Sequence, residues 1–425
     1  MKLKNHIRDI SLKIAIVCGI THVACAMVYD NRYFPLIQYP FITVQDRNSH
    51  IAGDFFVTTA NRAADILERG IGVFELSGPF DLAQLAYSME LAGLGNPLPA
   101  RYLNQELPFT MTGKLQSQGF ALDWEQNLWG NFSFGLLWLA MRSNSYIDFF
   151  VSQKIAADFS EAEVAELDAI RRQALATLGL ACNHVHQGGS GDTEIYLRWF
   201  DHWCYSFKLR SLYYGLRLGA LCPSGVKQKP SEPASVPFGG NGFWGVYASA
   251  DAEFEVKEDW KIGLWVRISK RFAKTMIERM PVARAPVAGQ KDPQSSEPQI
   301  FGVLEGPVHI NPGVTEVFSA YTQWEGIREG LGIRLQYSLI HHHQDHWTDE
   351  RVDQMVPSNL KPVEDRTQWG AEYVTLCAFY DFEKVNACRG HQPILRVSWD
   401  IPYSLLVGRR FVHSYKVALG LEFNF

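Results

Sequence analysis

The sequence has 425 residues, with 40 basic against 45 acidic side chains and a formal net charge of −5. This balance offers no basic footprint for nucleic acid, and the seven widely spaced cysteines indicate neither a disulfide framework nor a zinc site. The apolar fraction is 47%, yet it is spread over short alternating runs with a mean hydropathy of −0.12, so no segment after the N-terminus is a candidate helical membrane span.

The N-terminus has the pattern of an export signal. Its basic residues are Lys2, Lys4, Arg8 and Lys13, and an apolar run at 14–20 follows them. That run is too short to span a bilayer as a helix, which takes about 20 residues. Ala24-Cys25-Ala26 then matches a small-x-small cleavage site. We therefore predict a signal peptide at 1–26 and a single mature domain at 27–425, with lipidation at Cys25 as the alternative.

Two helical inserts interrupt a chain that otherwise has the pattern of strands. The first is predicted near 81–92, where Asp81 can cap the N-terminus and Gly93 the C-terminus. The second is predicted near 160–178, where Ser160 and Glu163 match a capping box and Gly179 ends the apolar stripe. Each insert has the apolar stripe of a short amphipathic helix, and the sequence leaves its position in the fold open.

The strand pattern is an alternation of apolar and polar residues, since successive side chains of a strand point to opposite faces. It is found at 51–60, 115–124, 132–138, 195–199, 214–220, 244–255, 260–269, 331–339, 373–382, 395–403 and 411–425, with an extended segment at 33–44. The clearest hairpin joins 244–255 to 260–269 through a turn at Lys257-Glu258-Asp259. A long polar loop is predicted at 341–365. Several segments have about ten residues, the length of a tilted strand that crosses a bilayer.

The C-terminal segment carries the most specific signal. Its apolar face ends with Leu421, Phe423 and the terminal Phe425. An edge strand of a soluble sandwich is the plain alternative. The ending, the alternating segments and the export signal together resemble bacterial outer-membrane β-barrel proteins of the porin or channel class, although no single family within that class is indicated.

That resemblance implies an all-β fold, a closed antiparallel transmembrane barrel of 12–16 strands. We expect 14, since single-chain bacterial barrels use even numbers. It also implies location in the bacterial outer membrane, contact with outer-membrane lipid, and recognition of Leu421, Phe423 and Phe425 by the barrel-assembly machinery. Oligomers are compatible with the pattern, and no cofactor is implied.

Charged residues alternate with the apolar face, so in a barrel they line the lumen. The candidates are Arg198, Arg217, Arg267, Arg334, Arg396, Asp251 and Glu253. Five arginines would favour anionic solutes, because rings of charge set the ion preference of pores. Alternatively they pair with lumen acids and simply fill the interior.

Other chemistry is weakly indicated. His341, His342, His343 and His346 could bind a transition metal, but clustered loop histidines are often only solvated. Cys377 and Cys388 could pair across a loop. No nucleophile elbow or phosphate loop is present. The sequence therefore predicts a non-enzymatic channel for passive transport of small solutes, with anionic ones suggested by the arginines; the alternatives are a plugged barrel for hydrophobic solutes, or a structural, adhesive or hydrolytic barrel.

Overall fold

The computed structural model describes residues 30–34, 49–66, 69–103, 105–152, 158–180, 182–204, 210–283, 298–385 and 393–424. Its main sheet has fourteen strands, of which two short ones, Phe80–Asp81 and His184–Ser190, lie outside the closed wall and leave twelve within it. The wall strands are β1 (Ser49–Ala60), β2 (Pro108–Trp129), β3 (Phe132–Val151), β4 (Thr193–Cys204), β5 (Ser211–Cys222), β6 (Gly245–Lys257), β7 (Trp260–Arg271), β8 (Val314–Arg328), β9 (Leu331–His342), β10 (Trp369–Asp381), β11 (Ile394–Tyr403) and β12 (Tyr415–Asn424).

Each wall strand pairs antiparallel with the next strand in the chain, and β12 pairs with β1 to close the barrel. Closure leaves no strand edge unpaired, the condition that a sheet must meet in hydrocarbon. The predicted all-β closed antiparallel barrel is confirmed. Its twelve wall strands lie at the lower end of the predicted range, and the complete sheet has the expected fourteen.

The outer face of the wall is apolar. Large side chains exposed there include Phe55, Leu197, Leu216, Leu218, Val266, Ile268, Leu335, Val397, Val417 and Leu419. The residues between them on the same strands are mostly buried inside the barrel. This alternation is what a wall between lipid and a polar interior requires. None of the helices within the described residues has both the length and the apolar character needed to cross a membrane.

The two ends of the barrel differ. At one end three connections have only two residues each, at 130–131, 258–259 and 329–330. At the other end, six long connections fold together into what we call the cap. The cap comprises the described residues of 61–107, 152–192, 223–244, 272–313, 343–368 and 404–414. Short turns at one end and long loops at the other are typical of outer-membrane barrels.

Both predicted helical inserts lie in the cap. Helix α1 (Leu82–Leu91) begins after Asp81, whose carboxylate accepts from the backbone N–H groups of Ala83 and Gln84. Helix α2 (Glu161–Thr177) begins after Ser160, which forms the expected capping box with Glu163. Two shorter helices are α3 (Lys361–Thr367) and α4 (Phe382–Val385). The cap also contains 3-10 turns at Val73–Ser77, Ala100–Tyr102 and Gln299–Phe301.

The cap has two small sheets of its own. One contains Lys274–Met280, Leu304–Asn311 and His346–Asp349, and the other contains Ala63–Ala64, Arg69–Ile71 and Phe411–Val412.

The predicted loop at 341–365 is therefore wrong in part, since it includes the end of β9, a strand and the start of α3. The predicted strand at 411–425 is also divided. Phe411 is fully buried in the cap, and Tyr373 contacts Ser414 at the break before β12 begins.

Strands β2 and β3 are much longer than predicted, with 22 and 20 residues. A strand of 22 residues is about 70 Å long, more than the ~30 Å hydrocarbon thickness requires even when tilted. The loop-side halves of both strands extend into the cap. There Phe109, Met111 and Ile147 join its apolar core, which also includes Phe80 from the first long connection and Leu167 from α2.

Candidate functional site: the barrel interior and the cavity under the cap

The five predicted lumen arginines all lie on the inner face of the wall. Arg198, Arg217, Arg267 and Arg396 are buried, and Arg334 is half-buried. The two predicted acids, Asp251 and Glu253, are buried on the same face. The predicted orientation of these residues is therefore observed, whereas a role in selectivity stays a prediction.

One group of interior charges is centred on Glu125 of β2. Arg198 Nη1 lies 3.4 Å and Arg217 Nη2 lies 3.7 Å from its carboxylate. Arg198 also donates to Asp251 at 2.8 Å, and the Tyr196 hydroxyl donates to Glu125 at 3.0 Å. Because each charge has an opposite charge or a hydroxyl beside it, these charges largely neutralise each other.

The same pairing continues around the wall. Arg267 makes two hydrogen bonds to Glu194, at 2.8 and 2.9 Å, and Arg396 binds Asp54 at 2.8 Å. The other pairs are Lys416 with Asp400 at 2.7 Å, Lys261 with Glu325 at 2.8 Å, Arg334 with Gln323 at 2.7 Å, and the Tyr321 hydroxyl with Glu253. Four of the five predicted lumen arginines therefore have acidic partners, namely Arg198, Arg217, Arg267 and Arg396.

A short N-terminal segment, residues 30–34, lies across the loop end of the interior; we call it the strap. Asp30 binds Arg271 at 2.7 Å and accepts from Ser269 at 2.9 Å, both on β7. Burial raises the pKa of Asp30, but the charges of Arg271 and Arg267 outweigh it and bring the pKa to about 2. Arg32 accepts from the backbone N–H of Val412. The strap therefore ties the wall to the cap.

A cavity of about 170 Å³ lies between the strap, the cap and the loop end of the wall. Its acidic, histidine and arginine lining residues are Asp30, Arg32, Arg271, Glu278, His342, Asp345 and Arg366. An apolar cavity of about 150 Å³ accommodates benzene, so the space is large enough for a small solute. The lining combines apolar and charged side chains, and it includes Arg271 at the end of wall strand β7.

Two ionisable cap residues in this cavity have displaced pKa values. Burial lowers the pKa of the Arg366 guanidinium, Asp65 opposes that effect, and Arg410 and Arg32 add to it. Burial raises the pKa of Glu278 to about 7, although hydrogen bonds from Gln299 and Asn241 act against the change. Neither residue was predicted as a site from the sequence. Neither lies in a recognisable motif, and only the three-dimensional fold brings the strap, Lys274–Met280 and α3 together.

The histidine tract is divided by the strand geometry. His342 points inward, where its Nδ1 lies 2.8 Å from Thr315 Oγ1 and its Nε2 lies 3.0 Å from Asp345. This contact has the residue types of a catalytic triad, but Thr315 is not among the described residues that line the cavity. The contact instead holds β8, β9 and the start of the next connection together.

Some predictions fall outside the described residues. These are the signal peptide at 1–26 with cleavage after Ala26, the terminal Phe425, and Cys388 as the partner of the buried Cys377. Leu421 and Phe423 are exposed on the outer face of β12, as expected. Their recognition by the assembly machinery, the lipid contacts and any oligomer stay predictions.

No protein-family model matches the chain, and no curated protein matches it either. Among solved structures, it is similar to an outer-membrane channel from Pseudomonas putida F1, at 8% identity and a TM-score of 0.47, over 92% of this chain and all of that one. It is also similar to the Pseudomonas putida toluene transporter TodX, at 11% identity and a TM-score of 0.31, over 90% of each chain. A third is the translocator domain of the Neisseria meningitidis autotransporter NalP, at 9% identity and a TM-score of 0.29, over 89% of this chain and 88% of that one.

The structure itself defines the class of protein. Its wall is closed, its outer face is apolar, its inner face carries the charges, and its long connections gather at one end. These properties together are those of a barrel embedded in lipid. The chain folds as a closed transmembrane β-barrel of the outer-membrane type.

Proposed function

We propose that the protein is a gated passage for small anionic solutes across the outer membrane, and that the structure is its closed state. The cavity under the cap would be the site where a solute binds before it enters the barrel. The observation that carries this proposal is Arg366, a largely buried cation on the wall of a cavity whose lining also includes Arg271 of the barrel wall. Burial and the guanidinium groups of Arg410 and Arg32 disfavour the charge of Arg366 more than Asp65 favours it, and burial of a charge is costly, so an anion in the cavity would lower the free energy of the site.

The interior supports passage of polar rather than apolar solutes. Its inner face carries ion pairs that include Arg198, Arg267 and Arg396. A solute that crosses the interior would have to displace one partner of each pair in succession. A charged solute can do so, because it can take the place of that partner. The interior therefore supports a polar path, and the strap and the cap account for its closure.

Single-channel recording in planar bilayers tests this proposal. We expect the refolded full chain to show infrequent current steps, with reversal potentials in a KCl gradient that indicate preference for the anion. Arg366→Gln should reduce this preference and weaken block by added phosphate. Arg172→Gln is the matched control, because Arg172 is an exposed arginine of α2 remote from the cavity lining.

A substitution of Arg366 is easier to interpret than a substitution of the lumen arginines predicted from the sequence. Arg217 and Arg267 are buried with acidic partners, and their loss would leave those acids unpaired, which typically costs about 3–5 kcal/mol. Unchanged anion preference and phosphate block in folded Arg366→Gln would contradict the proposal. Uptake of an apolar solute by a protein without conductance would support the plugged-barrel alternative.

A further inference from the structure

A second group of candidate ligands lies on the outside of the barrel, at its loop-end rim. Glu316 of β8 is directly opposite His341 of β9 in the antiparallel register, and His343 follows two residues later. The His341 and His343 rings are 4.5 Å apart, and His343 Nε2 is 3.5 Å from Glu316 Oε1. One donor atom from each of the three residues lies within 4.8 Å of the others.

We propose that Glu316, His341 and His343 form a binding site for a divalent transition-metal ion, with zinc as the best fit. Two imidazoles and one carboxylate are a known ligand set for zinc and for non-haem iron, with the remaining positions taken by water. Zinc binds these ligands at about 2.0–2.2 Å, so tetrahedral ligand atoms lie ~3.4 Å apart. The three donor atoms now lie within 4.8 Å of one another, so side-chain rotations have to shorten their separations by at most ~1.4 Å to reach that geometry.

Strand pairing positions two of the three ligand residues before an ion binds. Glu316 and His341 are held opposite each other by paired strands, so the separation of their Cα atoms is fixed before an ion arrives. Glu316 and His343 are about half exposed, which leaves their donor atoms accessible. Arg409 is close enough to His341 to interact electrostatically and would oppose a cation, whereas the Glu316 carboxylate attracts one.

The other histidines of the tract do not share this geometry. His342 points into the barrel and is bound to Thr315 and Asp345. His346 is largely exposed and lies 3.9 Å from Glu364, away from the group. An ion at the rim would therefore engage two of the four histidines and would tie the first residue of connection 343–368 to β8.

Cobalt titration of the refolded full chain, prepared without a polyhistidine tag, tests the site. We expect one equivalent of Co²⁺ to bind, with visible absorption bands that added Zn²⁺ abolishes. Glu316→Gln and His343→Gln should each weaken binding by at least 100-fold, because loss of residues that only support a ligand already costs 10–100-fold. Circular dichroism of each variant would establish that the barrel has folded.

His346→Gln is the matched control and should leave the affinity unchanged, because His346 lies outside the group. Two results would overturn the proposal. One is a folded wild-type protein without saturable binding. The other is a His346→Gln variant that loses as much affinity as Glu316→Gln, since that would show binding by a solvated histidine tract rather than by the rim group.

Discussion

At the scale of single residues, the interior is a set of buried charges that hold each other in place. Arg267 and Glu194 are each about 1% exposed, and the Arg267 guanidinium also lies over the Tyr247 ring at 3.8 Å. Desolvation of such a pair offsets much of its attraction, so the pair adds little net stability, although removing one partner is costly. The pairs therefore fix the conformation of the inner face more than they stabilise it.

Glu278 makes the cap sensitive to pH. Its pKa is about 7 in the folded protein against 4.5 ordinarily, so the unfolded chain loses this proton at a lower pH than the folded protein. Its contribution to stability is therefore fully present below pH 4.5, falls as the pH rises to about 7, and is then constant. A difference of about 2.5 in pKa corresponds to about 3 kcal/mol.

Glu278→Gln should remove this dependence, because the amide remains neutral. Denaturant unfolding in detergent micelles at pH 4.5 and pH 8 would measure it: the wild-type protein should lose about 3 kcal/mol more than Glu278→Gln between the two values. Glu161→Gln, at an exposed position of α2, is the control and should behave like the wild type. Parallel pH profiles for all three proteins would contradict the predicted ionisation of Glu278.

At the scale of the elements, aromatic rings lie over glycines of the neighbouring strand. Gly263 of β7 is opposite Tyr321 of β8, and a Cβ atom on Gly263 would lie 2.0 Å from the tyrosine ring. Gly135 with Tyr196 and Gly332 with Phe379 repeat this contact around the wall. The glycines give the rings room to lie flat inside the barrel.

Gly263→Ala should destabilise the barrel by about 1–3 kcal/mol, the usual cost of overpacking, because the Tyr321 ring would have to move. Urea unfolding in detergent, followed by tryptophan fluorescence, would measure the loss. Gly188→Ala is the control, since a Cβ there would meet only Arg142 at an ordinary 3.7 Å. Equal stability of the two variants would show that the wall accommodates the extra methyl group.

Elements with strong local signals were predictable from the sequence. The two capped helices and the hairpin of β6 and β7 are confirmed, because local spacing and side-chain caps determine them. Phe411 was misplaced because its alternation with the residues of β12 is the same whether the segment bends or not. The cavity could not be predicted, since Glu278 and Arg366 are 88 positions apart in the sequence and only the fold of the cap brings them to one surface.

At the scale of the whole molecule, the strap lies where the cap meets the barrel interior. Tyr33 and Phe34 are buried among cap residues, while Asp30 is bound to the wall through Arg271. If the protein is a gated passage, the attachment of the strap is part of its closure. The pKa of Asp30 is lowered, so this attachment is fully present above about pH 4 and is lost only as the pH falls towards 2.

Asp30→Asn should therefore open the passage at neutral pH. The substitution keeps the shape of the side chain but removes the charge that faces Arg271, and Arg271 retains Asp192 at 2.9 Å. Hydrogen bonds to charged groups contribute about 1.5–3 kcal/mol, so the open probability in planar bilayers should rise about tenfold or more.

Asp353→Asn, at an exposed position of the cap, is the control and should leave the open probability unchanged. An Asp30→Asn variant that folds and yet opens no more often than the wild type would show that the strap does not close the passage. Closure would then have to come from the paired interior charges alone, and variants of those pairs rather than of the strap would be expected to change the current.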